Sequence, residues 1–201
     1  VGSEMCIRDR LGASALTVSG QTLLKGTKFT DNWSVGINGG VTTPMTHSAF
    51  WKNSRPAVGI ELSKRITPVL SLGTSVMGHI NTSSSKTAFD ASNVELLSKF
   101  NMMNLFAGYP GTPRTFEMEA VIGVGWLHGY VNGTGDDNSW GTRLGMDFNF
   151  NIGEEKAWAI SLKPSLVYDM EGDFNRHKSR FNANNARVEL LAGITYYIKG
   201  S

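Results

Sequence analysis

The sequence predicts an all-β fold: eight antiparallel strands closed into an up-and-down barrel that crosses a membrane. Three observations predict it. Eight stretches alternate apolar and polar residues with a period of two, the signature of a strand with two unlike faces. The connections between them alternate long and short, which places the long ones at one end of an even-numbered barrel. The polar side of the alternation carries the charges and glycines, while tryptophans at strand ends sit on the apolar side.

Trp140–Ile152 shows the pattern most clearly. Trp140, Thr142, Leu144, Met146, Phe148, Phe150 and Ile152 form one set, and Gly141, Arg143, Gly145, Asp147, Asn149 and Asn151 the other. The pattern recurs in order along the chain. The first strand is 32–41, with Trp33, Val35, Ile37 and Val41 outermost. The second is 56–63 (Val58, Ile60, Leu62) and the third 69–80 (Leu70, Leu72, Val76, Ile80). The fourth, 94–103, is the least clean: Leu96, Phe100 and Met102 oppose Leu97, Lys99, Asn101 and Met103. The fifth, 116–127, sets Phe116, Met118, Ile122, Val124 and Trp126 against Glu117, Glu119, Gly123 and Gly125. After 140–152 come 157–168 (Trp158, Ile160, Leu162, Leu166) and 186–198 (Val188, Leu190, Ile194, Tyr196, Ile198). Such lengths suit tilted membrane-crossing strands of ~9–11 residues. Residues 42–54, 81–93, 128–139 and 169–185 are the long polar connections.

Composition agrees. Charged residues are 18% of the 201, against roughly 25% in soluble domains. Glycine supplies 23 positions, which favours close-packed strands over helices. No run approaches the ~18 apolar residues of a membrane helix. A net charge of +2 gives no argument for a nucleic-acid partner. One cysteine, Cys6, excludes a disulfide framework. It lies in residues 1–10, VGSEMCIRDR, which fit nothing after them and resemble translated adapter sequence. Residues 11–20 read as a signal-peptide remnant, with Val18 and Gly20 at −3 and −1 of a cleavage site. Residues 21–31 are a short lead-in, and 32–199 the barrel domain.

Alternation alone does not separate a membrane barrel from a soluble lipocalin-like carrier, whose interior is apolar. Three features favour the membrane form. The polar-parity charges are Glu61, Lys99, Glu117, Glu119, Arg143, Asp147, Lys163, Arg187 and Glu189, five acids and four bases. Near balance is what a closed lumen demands, because an unpaired buried charge costs several kcal/mol. Gly36, Gly40, Gly59, Gly73, Gly123, Gly125, Gly145 and Gly193 share that parity, as a narrow lumen requires. Trp33 and Trp158 fall at the short-turn end and Trp126 and Trp140 at the long-loop end, two aromatic girdles.

The chain at this point resembles the OmpA-like outer-membrane barrel domain. The resemblance covers about 31–199 and rests on DNWSVGINGG, FNMMNLFAGY, EAVIGVGW and GITYYI. Within it, Asn101, Asn104, Leu105, Phe106, Gly108 and Tyr109 match an Asn-rich strand end followed by a Gly-Tyr turn. The last strand is similar to the signal read by the barrel assembly machinery, although it ends on Ile198 where an aromatic is usual. The resemblance implies a bacterial outer-membrane location, with membrane lipid and lipopolysaccharide as surroundings. Relatives often continue into a peptidoglycan-binding domain. The chain stops at Ser201, so that contact is expected only through a domain absent or cut off.

Signals for chemistry are weak. Some small outer-membrane barrels modify lipid A with His, Ser and a carboxylate near the rim. His79 and His128 lie at strand ends near long loops, His47 and His177 lie in loops, and Ser83, Ser84 and Ser85 follow His79. No nucleophile-elbow signature accompanies them, so they read as rim residues in solvent. GDDN (135–138) lacks the spacing and closing glutamate of a calcium loop. No metal or cofactor motif is present. Arg176, His177, Lys178 and Arg180 form a basic cluster suited to lipopolysaccharide phosphates. The expected role is structural and not enzymatic: an anchoring barrel with a charge-plugged lumen and loops for surface contact. A small ion-conducting channel is the alternative.

Overall fold

A computed structural model describes residues 28–46, 54–80, 88–130, 137–170 and 183–198. Residues 1–20, His47, Ser83–Ser85 and the basic cluster Arg176, His177, Lys178 and Arg180 lie outside these. Eight strands form one closed antiparallel barrel in sequence order: β1 (Trp33–Pro44), β2 (Arg55–Arg65), β3 (Leu70–Ile80), β4 (Phe89–Asn101), β5 (Phe116–Gly129), β6 (Asp137–Ile152), β7 (Trp158–Asp169) and β8 (Ala186–Ile198). β8 pairs back onto β1, so the sheet has no open edge and its backbone groups are satisfied within it. That closure is what allows strands to sit in hydrocarbon.

Stagger sets the tilt of such a barrel. Following partners from Gly36 through Glu61, Ser75, Glu95 and Gly125 ends at Gly141 on β6. The other way round, through Thr195 and Ala159, ends at Asn151. The two end points are ten residues apart on one strand. The β6–β7 ladder is interrupted at Met146 and Asp147, next to Pro164, which has no N–H to donate.

The expected faces are inside-out relative to a soluble barrel. Ile37, Ile60, Leu96, Ile122, Leu144, Ile160 and Ile194 are exposed on the outer wall, whereas Glu61, Glu95, Lys99, Glu117, Asp147, Lys163 and Glu189 are buried inside. Glycines make room for long side chains across the lumen. A Cβ on Gly125 would come within 2.6 Å of Glu95 Cα and 2.8 Å of its Cγ.

Several boundaries differ from expectation, β1 and β2 by running two or three residues further and others for reasons of local structure. β4 begins at Phe89. The register shifts where His79 and Ile80 pair with Ala91 and Phe89, so Asp90 is an extra residue that breaks the period of two, and the polar Ser92 and Asn93 after it make the strand's start read as a loop. Met102 and Met103 are not strand residues. They open a six-residue helix, α1 (Met102–Ala107), where the Asn101 side chain accepts a 2.9 Å bond from Asn104 N. An Asn cap competes with strand extension at that point. β5 and β6 run further toward the long-loop end than the alternation suggested, so His128 and Asn138 are strand residues.

Candidate functional site

The lumen holds three storeys of charge. The uppermost contains Glu95 of β4, Arg143 of β6, Glu189 of β8 and His79 of β3. Arg143 Nε donates to Glu95 Oε2 at 2.5 Å and Nη1 to Ser165 Oγ at 2.7 Å. Arg143 Nη2 lies 2.8 Å from Glu189 Oε2, but off the hydrogen-bond direction, so that contact is an ion pair by proximity. His79 Nε2 is 3.5 Å from the other oxygen of Glu189. Asn93 completes the ring by donating to Glu95 at 3.2 Å.

The middle storey is a four-membered cluster. Lys99 bridges Glu61 and Asp147, the latter at 2.7 Å. Lys163 bridges the same two acids from β7, at 2.8 Å and 3.7 Å. Two cations and two anions drawn from β2, β4, β6 and β7 thus meet inside the barrel. Each acid sees both lysines, so desolvation is offset by more than one partner. Cavities lie on both sides: Ser71, Asn149, Thr195 and Tyr197 line one, and Asn38, Ser75 and Ser165, with Leu97, Val121 and Leu191, the other. Glu61 and Lys163 border both.

The lowest storey lies at the short-turn mouth. Arg65 lies 3.6 Å from Glu117 and 5.8 Å from the Tyr197 ring centre. Asn151 donates to Glu117 at 3.3 Å and to Arg114 O at 2.6 Å, while Asn149 donates to Glu119 at 3.1 Å. Asn104 of α1 is buried and donates to Pro68 O at 2.9 Å, tying the helix to the β2–β3 turn.

Eight of the nine charges read from the sequence are buried in the lumen. Their partners differ from those expected. By parity and antiparallel pairing of the fifth and sixth strands alone, Arg143 and Asp147 fall within reach of Glu117 and Glu119. The register partner of Arg143 is Gly123, while Glu119 pairs with Asp147 and Glu117 with Asn149. Four residues along a strand is roughly 13 Å, too far for that contact. The guanidinium instead reaches Glu95 on β4, and glycines 123 and 125 of β5 clear the wall between. Arg187, expected to join the network, is half-buried and makes no ion pair among the described residues.

Glu95 was missed although it shares the parity of Lys99; the irregular fourth strand concealed it. Arg65 was assigned to a turn. His79, read as a rim residue in solvent, is 3% exposed and faces Glu189. Arg55 and Asp90 are 3.0 Å apart near the long-loop end; Asp90 falls within an expected connection, and Arg55 lies just ahead of the expected second strand. Trp126 and Trp140 are direct partners at that end, and Trp33 and Trp158 pair with Ile198 and Tyr196 at the other. Among the described residues, no three His, Cys, Asp or Glu side chains are placed to hold a metal.

No family model and no curated protein matches the chain. Solved structures do. Neisserial surface protein A matches with a TM-score of 0.58 at 14% identity, over 84% of this chain and 98% of the other. The N-terminal β-barrel domain of Pseudomonas aeruginosa OprF matches with a TM-score of 0.56 at 9% identity, again over 84% and 98%. The fold is that of an OmpA-like small outer-membrane barrel. At such identities the likeness concerns architecture. The OmpA-like barrel fold explains why the charges lie inside and the apolar side chains outside. The storeys within it are read from this chain's own residues.

Proposed function

We propose that the chain is a structural barrel of the bacterial outer membrane, an anchor whose lumen is plugged and whose long loops make surface contacts. The middle cluster of Glu61, Lys99, Asp147 and Lys163 carries this reading. It draws on four strands and sets two lysines against two carboxylates across the lumen. An apolar wall flanked by tryptophans supports insertion in lipid. The reading includes lipid and lipopolysaccharide as neighbours, assembly by the barrel machinery, and no enzymatic role. A peptidoglycan contact would require a further domain. The basic residues Arg176, Lys178 and Arg180 remain candidates for lipopolysaccharide phosphate.

A second reading has an observation in its favour: the cavities on either side of the middle cluster share Glu61 and Lys163. Cavities on both sides of one ionic constriction are the layout of a small ion path. Single-channel recording in planar bilayers separates the two. The anchor reading expects no steady conductance from the parent barrel. Steady conductance whose ion selectivity changes in Lys163→Met would replace it with the channel reading.

A further inference from the structure

Among the described residues, the outward strand positions carry one lysine and one histidine, Lys64 and His128, one at each end of the wall. Each is set against aromatic rings, but the settings differ. Lys64 donates to Phe29 O at 2.6 Å and Asp31 O at 2.9 Å, and lies 4.9 and 5.1 Å from the ring centres of Phe29 and Trp33. Trp33 Nε1 also donates to Phe29 O, at 2.7 Å. That cluster spends its donors within the chain and ties residues 28–32 to the wall.

The long-loop end is different. Trp126 Nε1 donates to Asn138 Oδ1 at 3.1 Å, and His128 Nδ1 lies 2.8 Å from the same oxygen. An indole N–H can only donate, so the atom facing it is the amide oxygen. The imidazole must therefore donate from Nδ1 as well. This lock fixes the Asn138 side chain and turns its NH2 away from both rings, with no partner for it among the described residues. The His128 ring packs between Trp126 and Tyr130, at 5.0 and 4.5 Å. The Tyr130 hydroxyl is 3.2 Å from Ser92 Oγ. Trp140, the register partner of Trp126, is 61% exposed.

We propose that Trp126, Trp140, His128 and Asn138 form a binding site for the saccharide headgroup of a glycolipid in the same leaflet. A sugar offers a C–H face to an exposed aromatic ring and hydroxyls to an amide donor. Both kinds of group are present here, on the outer wall, at the level where apolar side chains give way to loops. Rigid aromatics and one locked amide bind at low entropic cost. A bare phosphate is a poorer fit, because the ammonium on this wall is at the opposite end. The inference rests on the outer-membrane reading, which places the long-loop end among glycolipid headgroups.

The test uses the full chain refolded in a detergent without sugar groups, with folding verified by its gel shift. The probe is the delipidated core oligosaccharide of a lipopolysaccharide, titrated while tryptophan fluorescence is read. Saturable quenching is expected. Asn138→Asp keeps the acceptor for Trp126 and His128 but removes the NH2, and should weaken binding at least tenfold. Trp158→Phe, at the other girdle, should leave binding unchanged. Absence of saturable quenching by the oligosaccharide, or equal affinity in Asn138→Asp, overturns the site while leaving the barrel reading intact. Response to phosphatidylglycerol micelles in place of the oligosaccharide would also overturn it. A chain that shows no detergent-dependent barrel at all would instead remove the reading beneath it.

Discussion

Removing Arg143 should be one of the most damaging single changes in the lumen. Its side chain is 7% exposed, and it serves two carboxylates that are 1% and 0% exposed, Glu95 and Glu189. At 2.8 Å and an effective dielectric of ~20, the gross attraction of one such pair is roughly 6 kcal/mol. Desolvation of both groups offsets most of that in the intact protein. The offset vanishes when one partner is deleted, because the remaining charge stays buried. Breaking a buried pair in this way costs about 3–5 kcal/mol. Arg143→Ala leaves His79 as the one potential cation against two acids in that storey. We therefore expect about 3–5 kcal/mol of destabilisation, measured by urea unfolding in lipid vesicles with tryptophan fluorescence. Combining Arg143→Met with Glu95→Gln and Glu189→Gln should recover most of the loss, since the uncompensated charges go with it. Arg187→Ala, half-buried and outside the network, is the control, at ~1 kcal/mol or less. A loss below ~1 kcal/mol for Arg143→Ala would refute the idea that this storey holds the lumen together.

Ile122 lies mid-strand on β5 and is 53% exposed on the outer wall; Ile122→Arg should cost about 2–4 kcal/mol if it sits near the bilayer midplane, read by the same titration. Gly125→Val should cost about 1–3 kcal/mol by overpacking, because a Cβ there meets Glu95; a parallel Gly39→Val, where the nearest atom is 3.9 Å away, should be milder by comparison. Unboiled and boiled protein should migrate differently on a detergent gel, and circular dichroism should be strand-dominated, since a closed barrel keeps its hydrogen bonds within the sheet. A helical spectrum together with full solubility in plain buffer would contradict the architecture.

Fold was legible in the sequence because alternation is a local property. Whether Ile122 or Gly123 faces lipid depends on the pleat, and the pleat is written in every second residue. Eight such runs, with long and short connections in turn, leave few ways to close. The errors came where local rules compete. An extra residue at Asp90, opposite His79–Ile80, breaks the period at the start of β4, and an Asn cap turns Met102 and Met103 into helix.

The sequence by itself therefore determined strand number, order, the identity of the two faces and the class of residue sent inward. Partner choice within the lumen was decided by tertiary structure alone. Glu117, Glu119, Arg143 and Asp147 are neighbours in the alternation of two adjacent strands, yet Arg143 goes to Glu95 and Glu189 while Asp147 goes to Lys99 and Lys163. The reason is stagger. A closed sheet returns to its first strand ten residues displaced, so side chains that meet across the lumen come from positions that no single strand relates. The reach of each long side chain then depends on which glycines stand in its way, and Gly123 and Gly125 let Arg143 pass over β5. Parity is a property of one strand; the charge storeys belong to the barrel.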